Sequence, residues 1–135
     1  MKQYITNSEK ETRSLAEKLA KNFEGILALS GDLGAGKTTF VQGFAKGLGI
    51  KGKIVSPTFV LIRQHSIPNS KRFLYHIDLY RIKGDFKGLG LEEILSSPEN
   101  IVLMEWAEKL ENLPKDSKKI LIQKQGQNKR MITLS

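Results

Sequence analysis

Cysteine is absent from the 135 residues, which excludes disulfides, thiolate metal sites and thiol nucleophiles. Histidine occurs only at His65 and His76, too few for an all-histidine metal centre, so any metal must be held by oxygen. Neither histidine has clustered acids or a serine partner in sequence, so no nucleophilic triad is supported and both read as structural or partner-facing. No apolar run approaches the ~20 residues that a membrane helix needs, and Met1 to Lys10 has no signal-peptide core. The expected setting is the cytoplasm, with no membrane partner. Internal repeats and inter-domain linkers are also missing, so residues 1–135 read as one domain. A chain of this size buries roughly two-thirds of the surface exposed by its unfolded state.

The net charge is +8, unevenly spread. Between 115 and 130, Lys115, Lys118, Lys119, Lys124, Lys129 and Arg130 face only Asp116. Between 92 and 111, Glu92, Glu93, Glu99, Glu105, Glu108 and Glu111 face only Lys109. One basic and one acidic surface follow as an expectation.

Residues 2–6 read as a short strand. Ser8 with Glu11 forms a capping box, opening a helix to about Asn22 whose Leu15, Ala16, Leu19 and Ala20 share one face. Ile26 to Ser30 is continuously apolar, as in a strand covered on both sides. After a glycine-rich segment, Thr38 to Leu48 has helical spacing, with Gly49 as its stop. Ile54, Val55 and Phe59 to Arg63 form an extended piece interrupted by Pro57. The turn Pro68-Asn69-Ser70 returns the chain antiparallel into Phe73 to Tyr80. A short helix near Leu91 to Leu95 ends at Ser97-Pro98, and Ile101 to Trp106 is a buried strand carrying Glu105. Lys119 to Gln125 and Arg130 to Leu134 are two further strands, joined at Gly126 to Asn128.

The glycine-rich segment is Gly31-Asp32-Leu33-Gly34-Ala35-Gly36-Lys37-Thr38. Two glycines five apart followed by Lys-Thr, set between a strand and a helix, make the phosphate-cradling P-loop pattern. Such a loop folds its amides around an anion at a helix N-terminus, and side chains at Gly31, Gly34 or Gly36 would obstruct that approach. Lys37 supplies charge to the β- and γ-phosphates, and the Thr38 hydroxyl is placed to bind Mg²⁺. Thr39 is a candidate for the α-phosphate. The pattern points to a Mg²⁺-bound nucleoside triphosphate, with ATP preferred because the Asn-Lys-x-Asp signature of guanine selection is absent: Asn128-Lys129-Arg130-Met131 lacks the Asp.

Phosphate-bound Mg²⁺ takes one or two protein carboxylates. Asp78, on the polar face of an otherwise apolar strand, is one candidate for the metal or a catalytic water; pairing with Arg81 is the competing reading. Glu105 closes four apolar residues at the carboxyl end of a strand, where ligands gather in such sheets; a surface glutamate is its alternative. Trp106 reads either as a nucleotide-adjacent aromatic or as core, and Glu108 as a site carboxylate or a solvated helix start. Ser56-Pro57-Thr58-Phe59 reads as a γ-phosphate-sensing switch or as a strand-edge kink.

Across nearly its whole length the sequence resembles the TsaE (YjeE) family, the bacterial ATPases required for threonylcarbamoyladenosine formation in tRNA. The resemblance is carried by GDLGAGKTT at 31–39, SPTF at 56–59, HIDLYR at 76–81, GLGLEE at 88–93 and EWAE at 105–108. It implies an α/β, P-loop NTPase-like three-layer sandwich with a central mixed sheet. It also implies ATP and Mg²⁺ binding, with Lys37 and Thr38 on phosphates and metal, and Asp78 and Glu105 as site carboxylates. Thr39 and Trp106 would then belong to the nucleotide site, and Ser56 to Phe59 to a switch. The working unit would be a complex with the two related proteins, TsaB- and TsaD-like, that carry out the transfer, so that contact with tRNA is indirect and DNA is not a partner. His65 departs from the family, which more often has an aromatic such as tyrosine there, and the chain is short for the family.

Three rival functions remain at the level of sequence. A small-molecule kinase shares the loop but needs an acceptor pocket and usually an arginine-bearing lid, for which there is little room. A GTPase lacks its selectivity motif. A basic RNA-binding module would use the 115–130 stretch, which has no interleaved aromatics.

Overall fold

The computed structural model describes residues 1–32, 34–52, 62–80, 90–110 and 113–135. The described elements are β1 (Lys2–Thr6), α1 (Glu9–Ala20), β2 (Gly25–Gly31), α2 (Lys37–Gly47), β3 (Ile62–Ser66), β4 (Phe73–Asp78), α3 (Leu91–Ser96), β5 (Ile101–Glu105), a 3-10 turn (Ala107–Lys109), β6 (Lys118–Lys124) and β7 (Arg130–Leu134). The seven strands form one sheet in the order β1-β7-β6-β2-β5-β4-β3. Its centre, β6-β2-β5-β4, is parallel, and antiparallel pairs close both edges: β4 with β3, β6 with β7, and β7 with β1. The fold is therefore the expected α/β sandwich on a mixed sheet.

Strand alternation divides the core in two. Leu27, Leu29, Leu74, Leu103, Ile120, Ile122 and Ile132 face α1 and α2, packing on Ala16, Ala20, Phe40 and Phe44. Ile26, Ala28, Ile77, Val102 and Met104 face the other way, under Leu91, Ile94 and Leu95 of α3 and Ala107. Phe40 and Phe44 are fully buried, each contributing about 1.5–3 kcal/mol by area. On β2 and β5 both faces are covered, which explains their unbroken apolar runs. Beyond β2 no described helix covers the second face of the sheet, and Ile5 and Leu121 are exposed.

Local rules place the ends. Ser8 Oγ accepts the Glu11 amide at 3.1 Å, while the Glu11 carboxylate reaches one residue past the capping position to accept the Asn7 amide at 3.0 Å. The helix stops at Ala20, two residues short of the expected end. Asn69, at φ 62, makes the turn between β3 and β4, with Ser70 Oγ donating to Ile67 O at 2.9 Å. β3 runs three residues past its expected end at Arg63. The expected extended piece from Ile54 to Phe59 lies outside the described residues. β4 ends at Asp78, before Tyr80, because the Asp78 side chain takes the Tyr80 amide at 2.9 Å and turns the chain.

The lysines of the expected basic surface are exposed, and the strand period divides them between two faces. On β6, Ile120 and Ile122 point to the helices, so Lys118 and Lys124 share that face while Lys119 points to the open one. Arg130 turns inward. Six basic residues close in sequence therefore do not form one stripe.

Glycines let α1 and α2 touch. A Cβ on Gly43 would lie 2.3 Å from the Arg13 carbonyl oxygen, and one on Gly47 2.4 Å from that of Glu17. Gly43→Ala should lower the unfolding free energy by about 1–3 kcal/mol through overpacking, although alanine is the better helix former by roughly 1 kcal/mol. Equilibrium urea unfolding reads the sign, and a variant as stable as the parent would contradict the close contact.

Candidate functional site

β2 delivers the chain to Gly31 beside β6. At φ +150, Gly31 lies so near that strand that a Cβ would sit 2.6 Å from the Ile122 carbonyl oxygen; any side chain there would drive the loop off the sheet. The Ala35 amide then donates to Asp32 O at 3.0 Å, folding the loop back. Gly34 at φ +79 and Gly36 at φ +106 adopt conformations that L side chains resist. Gly36 is also the N-cap of α2, where no side chain caps the free amides and no acid lies in the first turn. In contrast, α1 carries Glu9 and Glu11 in its first turn and α3 carries Glu92 and Glu93. The N-terminal end of α3 is uncapped too, but its acids offset the helix dipole; at α2 alone among these helices uncapped amides coincide with an acid-free first turn, which suits an external anion.

Lys37 opens α2 with its Nζ 5.1 Å from the centre of the Trp106 ring. Trp106 follows β5 at φ 61, and its ring lies 5.0 Å from that of Tyr80. A non-glycine residue held left-handed is strained and needs its surroundings to fix it. Here the indole is held between Tyr80 and the Lys37 ammonium. Ser30, Gly31, Asp32, Lys37, Trp106 and Glu108 line a cavity of about 220 Å³ among the described residues, a size for a phosphate group rather than a whole drug-sized ligand. A cavity of about 600 Å³ adjoins it, sharing Leu29, Ser30 and Glu108 but not Gly31 or Lys37, and one of about 510 Å³ lies apart. Of the other expected nucleotide contacts, Thr38 is exposed and Thr39 half-buried in the first turn of α2, and Leu33 lies outside the described residues.

Asp78 and Glu105 are brought side by side. They are register partners on parallel β4 and β5, and Leu29, two residues before Gly31, pairs with Glu105 on its other flank. Both carboxylates therefore stand at the carboxyl ends of strands next to the loop. Burial raises the Asp78 pKa above the ordinary range; the Tyr80 amide opposes this, the Glu105 charge reinforces it, and His76 and Lys37 oppose it. Glu105 is 7% exposed, which corrects its place on the expected acidic surface. Its Oε2 lies 2.8 Å from His76 Nε2.

His76 is the site residue that sequence reading missed. Two residues before Asp78, it shares that residue's face of β4, so strand alternation was the available signal. His65, on the same face of neighbouring β3, has its pKa lowered by burial first, then by His76 and Arg63. The Ser56 to Phe59 segment and Arg81 lie outside the described residues.

Whether these groups suit Mg²⁺ can be judged from the donors. Among the described residues no group of three or more His, Cys, Asp or Glu could hold a metal ion. The two carboxylates in register and the Thr38 hydroxyl are oxygen donors of the type taken by an ion that draws its remaining ligands from phosphate and water.

Comparison with known proteins decides the family. The model of the family described as "Threonylcarbamoyl adenosine biosynthesis protein TsaE" matches residues 6–132. The chain belongs to the TsaE family. It is 40% identical over 134 residues to the tRNA threonylcarbamoyladenosine biosynthesis protein TsaE of Bacillus subtilis, covering 96% of this chain and 82% of that protein. The Rickettsia typhi protein of the same name is 43% identical over 115 residues, covering 82% of this chain and 77% of its own length. The crystal structure of Bacillus subtilis YdiB superposes with a TM-score of 0.81 at 37% identity, covering 98% of this chain and 83% of that one.

The raised Asp78 pKa carries a stability sign. The native state binds the proton more tightly than the unfolded chain, so Asp78 opposes folding at neutral pH, and that penalty fades as pH falls through the native pKa to below the ordinary ~3.9. Asp78→Asn should raise the melting temperature at pH 7, with the gain vanishing in acid. A gain that persists at pH 3 would assign it to something other than the carboxylate charge.

Proposed function

We propose that this TsaE-family chain binds ATP with Mg²⁺ and hydrolyses it as the energy-using member of the complex that forms N6-threonylcarbamoyladenosine at position 37 of tRNAs reading ANN codons. It acts on two partner proteins, TsaB- and TsaD-like, rather than transferring the group itself. The observation that carries this reading is the uncapped, acid-free N-terminus of α2 behind Gly31 to Gly36, with Asp78 and Glu105 in register beside it. Family membership supplies the pathway.

Each residue then has a physical task. Loop amides and the Lys37 ammonium would hold the triphosphate; Thr38, Asp78 and Glu105 would hold Mg²⁺, which would supply positive charge to the phosphate oxygens. In hydrolysis, a water oxygen bonds to the γ-phosphorus, the bond from that phosphorus to the β–γ bridging oxygen breaks, and ADP leaves with the electron pair. Glu105 or Asp78 orients the water and accepts its proton. Because Glu105 is buried and tied to His76, slow turnover by the isolated chain and acceleration by partners are expected. Indirect contact with tRNA accords with the dispersal of the basic residues over both faces of β6.

Trp106 is the one tryptophan in the chain and carries Lys37 over its ring, so its fluorescence should change as MgATP draws the ammonium away. Lys37→Ala should abolish that response and weaken nucleotide binding by tenfold or more. Glu105→Gln should bind ATP yet lose at least ~100-fold in partner-stimulated hydrolysis. Calorimetry showing no heat with MgATP, or Lys37→Ala supporting the tRNA modification normally, would sink the proposal.

A further inference from the structure

We infer that Arg130 is a positioning residue that fixes the orientation of the loop peptides around phosphate by tethering Gly34 and Ala35 to the β6–β7 hairpin, an inference that rests on the nucleotide reading above. Arg130 opens β7, and its alternation with Ile132 and Leu134 turns it to the helical side of the sheet, beneath the loop. Nε donates to Ala35 O at 2.8 Å and Nη2 to Gly34 O at 3.4 Å. Nη1 lies 3.2, 3.3 and 3.0 Å from the carbonyl oxygens of Gly126, Gln127 and Lys129. The hairpin is itself closed by the Gln125 amide on Lys129 O at 2.9 Å. All three guanidinium nitrogens therefore serve main-chain carbonyls.

The consequence follows from peptide planarity. In a trans peptide the C=O of one residue and the N–H of the next point in opposite directions. Drawing Ala35 O down onto Arg130 thus aims the Gly36 amide away from the hairpin, toward the side of the loop that an anion would occupy. A flip of that peptide would turn on ψ of Ala35 and φ of Gly36, and Gly36 already sits at positive φ. Glycine costs little in either orientation, so the sequence of the loop alone does not choose. A flipped peptide would present a carbonyl oxygen to phosphate in place of a donor. A single ammonium cannot serve the loop and the hairpin together as the planar fork does.

The test is calorimetric titration of Mg²⁺ with ADP, ATP or bare tripolyphosphate into the wild-type chain, Arg130→Lys and Arg130→Met, with thermal unfolding of each. Both variants should bind all three ligands about tenfold more weakly, and by a common factor, at temperatures where they remain folded. A merely structural role would lower the melting temperature without that uniform loss. Binding by Arg130→Lys or Arg130→Met within twofold of wild type overturns the inference and leaves the nucleotide reading standing. So does a loss confined to ADP and ATP, which would assign Arg130 to the base or ribose. A wild-type chain that binds none of the three overturns both. Should either variant fail to fold, amide exchange in the wild type decides: residues 125–129 should slow on adding MgATP, and unchanged exchange there overturns the tether.

Discussion

The structure turns on one close approach: Gly31 lying against the Ile122 carbonyl. Because no Cβ intervenes, β2 can stay paired to β6 up to its last residue and then release the chain directly above the sheet. The turn that follows lands α2 with its N-terminus facing back along the strand it left. Every donor proposed for phosphate depends on that landing. So does the placement of Asp78 and Glu105, since the parallel register that aligns them is measured from the same strand.

A site assembled this way combines opposing electrostatic demands. The loop side is electropositive, with the uncapped amides at the start of α2, Lys37, and Arg130 bonded to the loop carbonyls of Gly34 and Ala35. The strand side holds two neighbouring carboxylates, one raised in pKa by burial and one bonded to a buried histidine. Like charges on adjacent strands repel, so in the bare protein the pair is an unfavourable arrangement. A cation and a polyanion arriving together would relieve both sides. Lys37 resting on the Trp106 face holds the ammonium near the loop while leaving it removable, since cation–π contacts of this kind are worth only ~0.5–2 kcal/mol.

Much of this was legible in the sequence because the signals are local. The glycine pattern, the Ser8 cap, the Pro68 to Ser70 turn and the apolar runs each specify geometry over a few residues and appear where expected, while the return bond of Glu11 falls one residue off, on Asn7. Asp78 and Glu105 were legible individually, one as a polar residue in an apolar strand and the other as the acid closing one. Their adjacency was not, because it requires knowing that β4 and β5 are neighbours. The order β1-β7-β6-β2-β5-β4-β3 depends on crossovers whose lengths constrain but do not fix it. His76 is hidden for the same reason: its partner lies 29 residues away, and sequence assigns no neighbour to a lone histidine.

Arg130 marks where local reading fails most completely. In sequence it is one cation among six, and composition counts it as surface. Its partners Gly34 and Ala35 are 96 and 95 residues away, reached only because the last two strands fold back to the β2 side of the sheet and set β6 beside the loop. A surface arginine in a mobile stretch would gain little from such bonds, since ordering its long side chain offsets them. Here the hairpin carbonyls have already fixed the guanidinium. The closing strands of the sheet therefore do more than cover the edge of the core: they provide the firm side against which a glycine-rich loop, flexible by composition, can keep one conformation.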